Sequence, residues 1–278
     1  MAASFGLNLQ TGLENCQVHV PKWDIPKHVK ALVTTRQGGQ SHHPYNHWNL
    51  ALHVDDEVNT VTQNRQLLSN QIGKEAFFLN QVHGTDVFSL TPSTFTTPND
   101  SSLITPTVDG VITSLDSHFL AILTADCLPI LLCDAKGDLI AACHAGWRGL
   151  ANGVIDKTIQ AMVNWMQPDS AKKFIEGLHV YIGPAISQFN YEVGEEVRDP
   201  FSRDSRFRVD LLNSLFTTGQ KTNKYYADLF GIATAKLNQI GIYQVHTEKL
   251  CSYNQSEYFY SYRRETITGR FASCIWME

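Results

Sequence analysis

The feature that most constrains the fold is a series of short stretches that are apolar at nearly every position. HFLAIL (118–123), PILLC (129–133) and DLIAACH (138–144) follow one another with only brief polar breaks. A strand with one wet face alternates apolar and polar residues, whereas a continuously apolar run belongs to a strand covered on both faces. KALVTT (30–35), VDGVIT (108–113), LHVYI (178–182) and FASCIW (271–276) read as further strands. Helical period appears in three segments. In 56–72, Val58, Val61, Leu67, Leu68 and Ile72 make an imperfect stripe. In 150–166, Leu150, Val154, Ile155, Ile159, Met162, Val163 and Met166 follow the period closely. In 225–240, Leu229, Ile232, Ala233, Leu237 and Ile240 do so, and Gly241 supplies the stop. Several strands precede the helix at 150 without a regular strand–helix alternation. The expected class is therefore α+β, a layered α/β sandwich with mixed sheets.

At 278 residues the chain can bury a sizeable core, and it carries no repeat or low-complexity tract. Segments 36–49, 91–107 and 203–224 are rich in turn formers and read as loops over one domain. Residues 1–25 are expected to be an N-terminal extension and 26–278 a single catalytic domain. A net charge of −5 without basic blocks argues against nucleic acid or an anionic membrane as partner. No run approaches the roughly 18 apolar residues of a membrane span, and the start does not resemble a signal peptide, so a cytoplasmic location is expected. Six cysteines are too sparse for a disulfide framework. A cysteine that matters here is more readily a ligand or a nucleophile than half of a bridge.

The densest chemistry lies in TADCLPILLCDAKGDLIAACHAGWRG (124–149). It sets Asp126 and Cys127 before one apolar strand and His144 at the end of the next, and a hairpin would bring those ends together. AGWRG then opens the helix at 150, whose N-terminus is expected to face the site with Arg148 beside it, as suits an anion. Cys133 and Cys143 sit inside apolar runs and read as core. NQVHGTDV (80–87) places His83 at a break after an apolar stretch, and YFYSYRRETITGR (258–270) carries Arg263, Arg264 and Arg270 among aromatic residues and glycine. Arginine forks suit phosphate or carboxylate, although surface charges are common too.

In order along the chain, ALVTTRQGG, NLALHVDD, NQVHGTDV, VDGVIT, ADCLPILL, CHAGWRG, YIGPAI, YEVG, CSY and YFYSYRRETITGR resemble the YfiH or laccase-domain family, once called multicopper polyphenol oxidase and now described as purine nucleoside phosphorylase. The resemblance runs from about residue 30 to the C-terminus. It implies a metal site formed by His83, Cys127 and His144, within a fold shared with proteins proposed to be cysteine hydrolases. One thiolate and two imidazoles suit Zn²⁺ and leave a fourth tetrahedral position open. Cu²⁺ is a possible competitor at the same donors. A multicopper oxidase needs many histidines, typically in His-x-His pairs, and none of the 11 histidines forms such a pair.

The resemblance implies phosphorolysis of adenosine, inosine and methylthioadenosine to base and ribose 1-phosphate, with adenosine deamination at the same site. The expected partners are thus purine nucleosides and phosphate, with the protein a monomer or small homo-oligomer. Asp126, Cys127, His144 and His83 are the candidate catalytic residues. Arg36, Asn80, Gln81, Arg148, Arg263 and Arg264 are the candidates for holding substrate and phosphate. The alternatives are a thiol or metal-dependent hydrolase that edits peptidoglycan precursors, with Cys127 as nucleophile, and a copper-dependent polyphenol oxidase.

Overall fold

The computed structural model describes residues 7–94 and 105–278. Most of the 91–107 segment, expected to be a loop, lies outside the described residues. Two six-stranded sheets form the centre. The first takes β1 (Leu9–Thr11), β2 (Gln17–His19), β3 (Val29–Thr34), β15 (Phe271–Met277), β7 (His118–Thr124) and β4 (Glu75–Phe78), in that order. The second takes β14 (Val245–His246), β10 (His179–Ile182), β8 (Leu128–Cys133), β9 (Ile140–Ala145), β6 (Gly110–Thr113) and β5 (Val87–Leu90). Each sheet is mixed: β4 is parallel to β7, β5 to β6 and β14 to β10, and the other pairs are antiparallel. A small third sheet orders β11 (Glu192–Gly194), β13 (Lys224–Ala227) and β12 (Phe216–Thr218).

The unbroken apolar runs follow from this layering. Successive strand residues point to opposite faces. In β7, Leu120 and Ile122 enter the core between the two sheets, whereas Phe119, Ala121 and Leu123 enter a second core behind the first sheet. In β8, Leu131 and Cys133 join the inter-sheet core, and Leu128, Ile130 and Leu132 join a third core beneath the helices. Every strand position is then dry. Helix α1 (Val58–Ile72) covers the outer face of the first sheet through Leu67 and Leu68. Its Val58, expected in the apolar stripe, is exposed, while the polar Asn64 is buried.

Three expectations are corrected. The segment 150–166 is not one helix: α2 (Trp147–Asn152) ends at Gly153, which takes a left-handed φ of 89°, and α3 (Val154–Met166) starts afresh. Leu150 belongs to α2, while Val154, Ile155, Ile159 and Met162 pack α3 on the second sheet. The expected loop 203–224 contains α6 (Val209–Leu215) and β12, which cap the third core with α4 (Ala171–Glu176), α5 (Glu195–Ser202) and α7 (Leu229–Ile240) as neighbours. The expected N-terminal extension supplies β1 and β2, which continue the first sheet by antiparallel pairing onto β3. Its residues 1–6 lie outside the described residues. Gly241, by contrast, caps α7 in the left-handed conformation as expected.

Candidate functional site

The hairpin of β8 and β9 forms in the expected register, with Pro129 opposite His144 and Leu128 opposite Ala145. Cys127, which precedes β8, therefore stands beside the end of β9. The intervening turn from β7 is sharp, and Asp126 adopts a φ of 113° within it. His83 arrives from the loop between β4 and β5 and also has positive φ, at 59°. The ligand atoms of His83, Cys127 and His144 all lie within 4.8 Å of one another. Among the described residues, no other group of three His, Cys, Asp or Glu side chains does so, and His42, His43 and His47 form no such cluster.

One buried carboxylate holds this arrangement. Asp109, just before β6, accepts from the Val82, His83 and Gly84 amides at 3.1, 3.0 and 2.6 Å. Its Oδ1 also lies 2.8 Å from His144 Nδ1. An acceptor on Nδ1 makes that nitrogen the donor in a neutral imidazole and leaves Nε2 with its lone pair towards the cavity. Burial pushes the Asp109 carboxyl up, but the hydrogen bonds from His144 and from the Gly84 and Val82 amides hold it below the ordinary carboxylate range.

The donor set fits a single Zn²⁺. Cys127 Sγ is 3.8 Å from His83 Nε2, and a tetrahedral centre with ordinary zinc bonds separates sulfur from nitrogen by about 3.6 Å. The two imidazole rings meet edge to face, with centroids 4.7 Å apart. Burial pushes the Cys127 thiol up, yet the His144 imidazolium and hydrogen bonds from both histidines outweigh it and favour the thiolate. His144 moves the opposite way: burial lowers it, while the Cys127 thiolate and Asp109 raise it above the usual imidazole range. Gly146 closes the bite, since a Cβ there would stand 2.9 Å from His83 Cδ2 and 3.0 Å from Cys127 Sγ.

The cluster forms the floor of a cavity of about 540 Å³. Trp147, Arg148, Tyr191 and Arg263 line it, as do His53, Tyr262 and Arg270. Asp126 lies at the base and is 9% exposed. It accepts from Ser252 Oγ and the Arg263 amide, both at 2.7 Å. Burial pushes its carboxyl up further than these bonds draw it down. The short α2 starts at the cluster, but the long α3 does not, so the expected long-helix dipole does not point at the site.

The sequence candidates divide. Arg148 and Arg263 line the cavity over aromatic rings, at 4.3 Å from the Trp147 centroid and 4.9 Å from that of Tyr191. Gln81 also lines it, but its amide is spent on the Leu123 main chain, donating at 2.8 Å and accepting at 2.9 Å. Arg36, Arg264 and Asn80 are not brought to the cavity. Arg36 donates to the Asn46 and Ser256 carbonyls. Arg264 donates to those of Ser252, Tyr253 and Phe259 and thereby ties the C-terminal loop. Asn80 donates to Thr107. His53, Asp109, Tyr191 and Tyr262 were not among the sequence candidates, although each lies in a quoted motif, and Arg270 was noted for its fork without being assigned to the site.

The chain is similar to known proteins over nearly its whole length. The chain is 38% identical to a Pseudomonas aeruginosa protein named purine nucleoside phosphorylase, over 93% of this chain and 97% of the relative. It is 36% identical to purine nucleoside phosphorylase YfiH of Escherichia coli, over 93% of this chain and 98% of the relative. Among solved structures, a Neisseria meningitidis protein superposes with a TM-score of 0.81 at 35% identity, covering 98% of this chain and 99% of that one. The Bacillus licheniformis protein YfiH does so with a TM-score of 0.82 at 25% identity, covering 97% and 99%. A family model described as multi-copper polyphenol oxidoreductase laccase matches residues 30–278, and the chain belongs to that family.

Proposed function

We propose that the chain is a purine nucleoside phosphorylase whose reaction takes place in the cavity above His83, Cys127 and His144. The observation that carries this reading is the joining in one cavity of a Cys/His₂ donor set, the buried Asp126 carboxyl and the guanidinium groups of Arg148, Arg263 and Arg270, none of which has a carboxylate partner among the described residues. The names of the relatives at 36–38% identity support it. In phosphorolysis an oxygen of phosphate forms a bond to C1′ as the C1′–N9 bond breaks. The electron pair passes to the purine, which takes up a proton. Asp126 is suited to supply that proton, because its burial keeps the carboxyl protonated to higher pH than usual. His83, Cys127 and His144 would hold Zn²⁺, or Cu²⁺ in competition, and the ion would supply Lewis acidity and a lowered pKa for water. Asp109 orients two of the three ligands.

The experiment is product analysis with adenosine and inosine, with and without phosphate. Free base and ribose 1-phosphate formed only with phosphate are expected. Free ribose, or inosine from adenosine as the sole product, would refute phosphorolysis; inosine beside adenine would add the deaminase activity that the family resemblance implies.

A second reading has a specific observation in its favour. Cys127, His144 and Asp109 stand in the order nucleophile, base and orienting acid, as in a thiol hydrolase. Full turnover after chelation, with loss of activity on thiol alkylation, would favour it. The second imidazole, His83, favours the ligand role for Cys127.

A further inference from the structure

Two stretches of sequence are left without a role by the Cys/His₂ cluster: NLALHVDD (49–56) and the end of the C-terminal motif, TGR (268–270). They are clamped together by Asn49, whose side chain is fully buried. Its Oδ1 accepts from the Arg270 amide at 2.9 Å and the Ala51 amide at 3.0 Å, and its Nδ2 donates to Asp56 at 2.8 Å. The Leu50 amide returns a bond to the Arg270 carbonyl at 3.2 Å. Gly269 permits the approach, since a Cβ there would stand 2.9 Å from Asn49 Cβ and from the Tyr260 ring. The clamp brings Arg270 and His53 into the lining of the cavity.

The Arg270 guanidinium is fixed in advance. Its Nη1 donates to the Thr268 and Gly269 carbonyls at 2.9 and 3.0 Å. Its Nε and Nη2 make no hydrogen bond with the described residues, and no described carboxylate lies within ion-pair distance of it. Arg36 and Arg264, which leave the cavity, each have Glu265 beside them. Arg270 is half-buried, so it has lost part of its hydration without gaining an anion. Arg148 and Arg263, which line the same cavity, are exposed, and water competes there for any ligand.

We propose that Arg270 and His53 form the oxyanion subsite of the cavity and that its ligand is inorganic phosphate. The inference rests on the phosphorylase reading and names where its second substrate binds. The Nε and Nη2 edge of Arg270 pairs with two phosphate oxygens, and the His53 ring donates to a third. Arg270 and His53 line the same cavity as Asp126 and the Cys/His₂ cluster, so phosphate held there shares the cavity with the groups proposed to act on the nucleoside.

The test is titration of the metal-loaded protein with inorganic phosphate alone, by calorimetry, in wild type and in Arg270→Gln, Arg270→Lys, His53→Gln and Arg148→Gln variants. Arg270→Gln is expected to weaken phosphate by about tenfold or more, the loss of charge-assisted hydrogen bonds. The KM for phosphate rises with it, while the nucleoside KM and metal content stay unchanged. Arg270→Lys restores part of the affinity, because lysine keeps the charge and loses the fork. His53→Gln is expected to cost about threefold.

Wild-type protein without saturable phosphate binding would overturn the subsite. So would Arg270→Gln that binds phosphate like wild type, or Arg148→Gln that loses more than Arg270→Gln. If Arg270→Gln does not fold, exposed His53 decides, and unchanged phosphate affinity in His53→Gln overturns the proposal. Phosphate binding that depends on Arg270, in a protein that releases only free ribose or inosine, would uphold the subsite and refute the phosphorylase reading.

Discussion

Two of the places where a buried imidazole meets a carboxylate make a contrast, and only one of these two is a candidate site. At His144, Asp109 takes Nδ1 at 2.8 Å and the remaining nitrogen faces the cavity beside Cys127 and His83. At His19, Nδ1 accepts the Asn8 amide at 2.9 Å, so its Nε2 carries the proton and faces Glu248 at 3.6 Å. Glu248 also receives His246 at 3.3 Å and the Lys22 amide at 3.2 Å, which ties β2 of one sheet to β14 of the other. Both histidines are buried and both have an acid. The difference is that His19 has no nitrogen left to give. A histidine can serve as a ligand where the fold fixes the proton on one ring nitrogen and leaves the lone pair of the other towards a cavity.

The largest test of that contrast is Cys127→Ser. Bound metal measured by mass spectrometry should fall, and phosphorolysis should drop by at least about a hundredfold, because a hydroxyl is a poor zinc ligand. The melting temperature should change little. Metal content equal to wild type would break the comparison and favour Cys127 as a nucleophile.

Asp109→Asn comes next. An amide keeps one acceptor oxygen but sets an NH₂ donor against either the His83 amide and His144 Nδ1 or the Val82 and Gly84 amides, and metal affinity should fall about 10- to 100-fold. Glu248→Gln, the matched change in the other region, should leave metal affinity and turnover as in wild type. Equal losses in the two variants would show that both carboxylates act through general stability.

A smaller effect concerns the thiol. In metal-free protein the Cys127 thiol is held below its ordinary range, so alkylation at neutral pH should be about tenfold faster than for an unperturbed cysteine. Its rate should persist as pH falls below the usual thiol range, and metal should suppress it. Buried Cys143, whose thiol burial pushes up to about 12, is the internal control and should stay unlabelled.

The smallest effect belongs to Glu248 and appears in stability alone. Burial pushes this carboxyl up, but His19, Tyr181 and His246 draw it down to about 2. A depressed carboxyl stabilises the fold above its unfolded pKa and loses that contribution as pH falls. The loss should run from about pH 4.5 to about pH 2 and amount to on the order of 1–2 kcal/mol, measured by denaturant melts. Glu248→Gln should flatten this window; an unchanged acid slope in that variant would remove the assignment.

The central strands were legible because each side of β7 and β8 meets its own core, which leaves a signal at every position. Helix α3 was legible too, but its start was not: the apolar period runs on through Leu150, and only the left-handed Gly153 breaks it. Strands β1, β2 and β12 are three residues each and carry too little periodicity to be seen. The three residues that could hold a metal were nameable from the family motifs, and the residues that support them were not. Asp109 sits in VDGVIT, which reads as a strand, while its partners lie at 82–84 and 144, out of reach of any local pattern. Arg36, Arg264 and Arg270 are alike as letters. Which of them spends its fork on main-chain carbonyls and which keeps an edge for a ligand is decided by tertiary packing.

The register of β8 against β9 also sets an order of events in folding. Cys127 and His144 are brought together by a hairpin of nearby sequence, whose closure is fast and entropically cheap. His83 comes from far upstream and is held only when β6 has docked on β9 and delivered Asp109 to its amides. If the cluster holds an ion, one present during refolding would meet a two-donor half-site first and gain its third ligand late. Slow loading would then mark late docking of the β4–β5 loop at that edge of the second sheet.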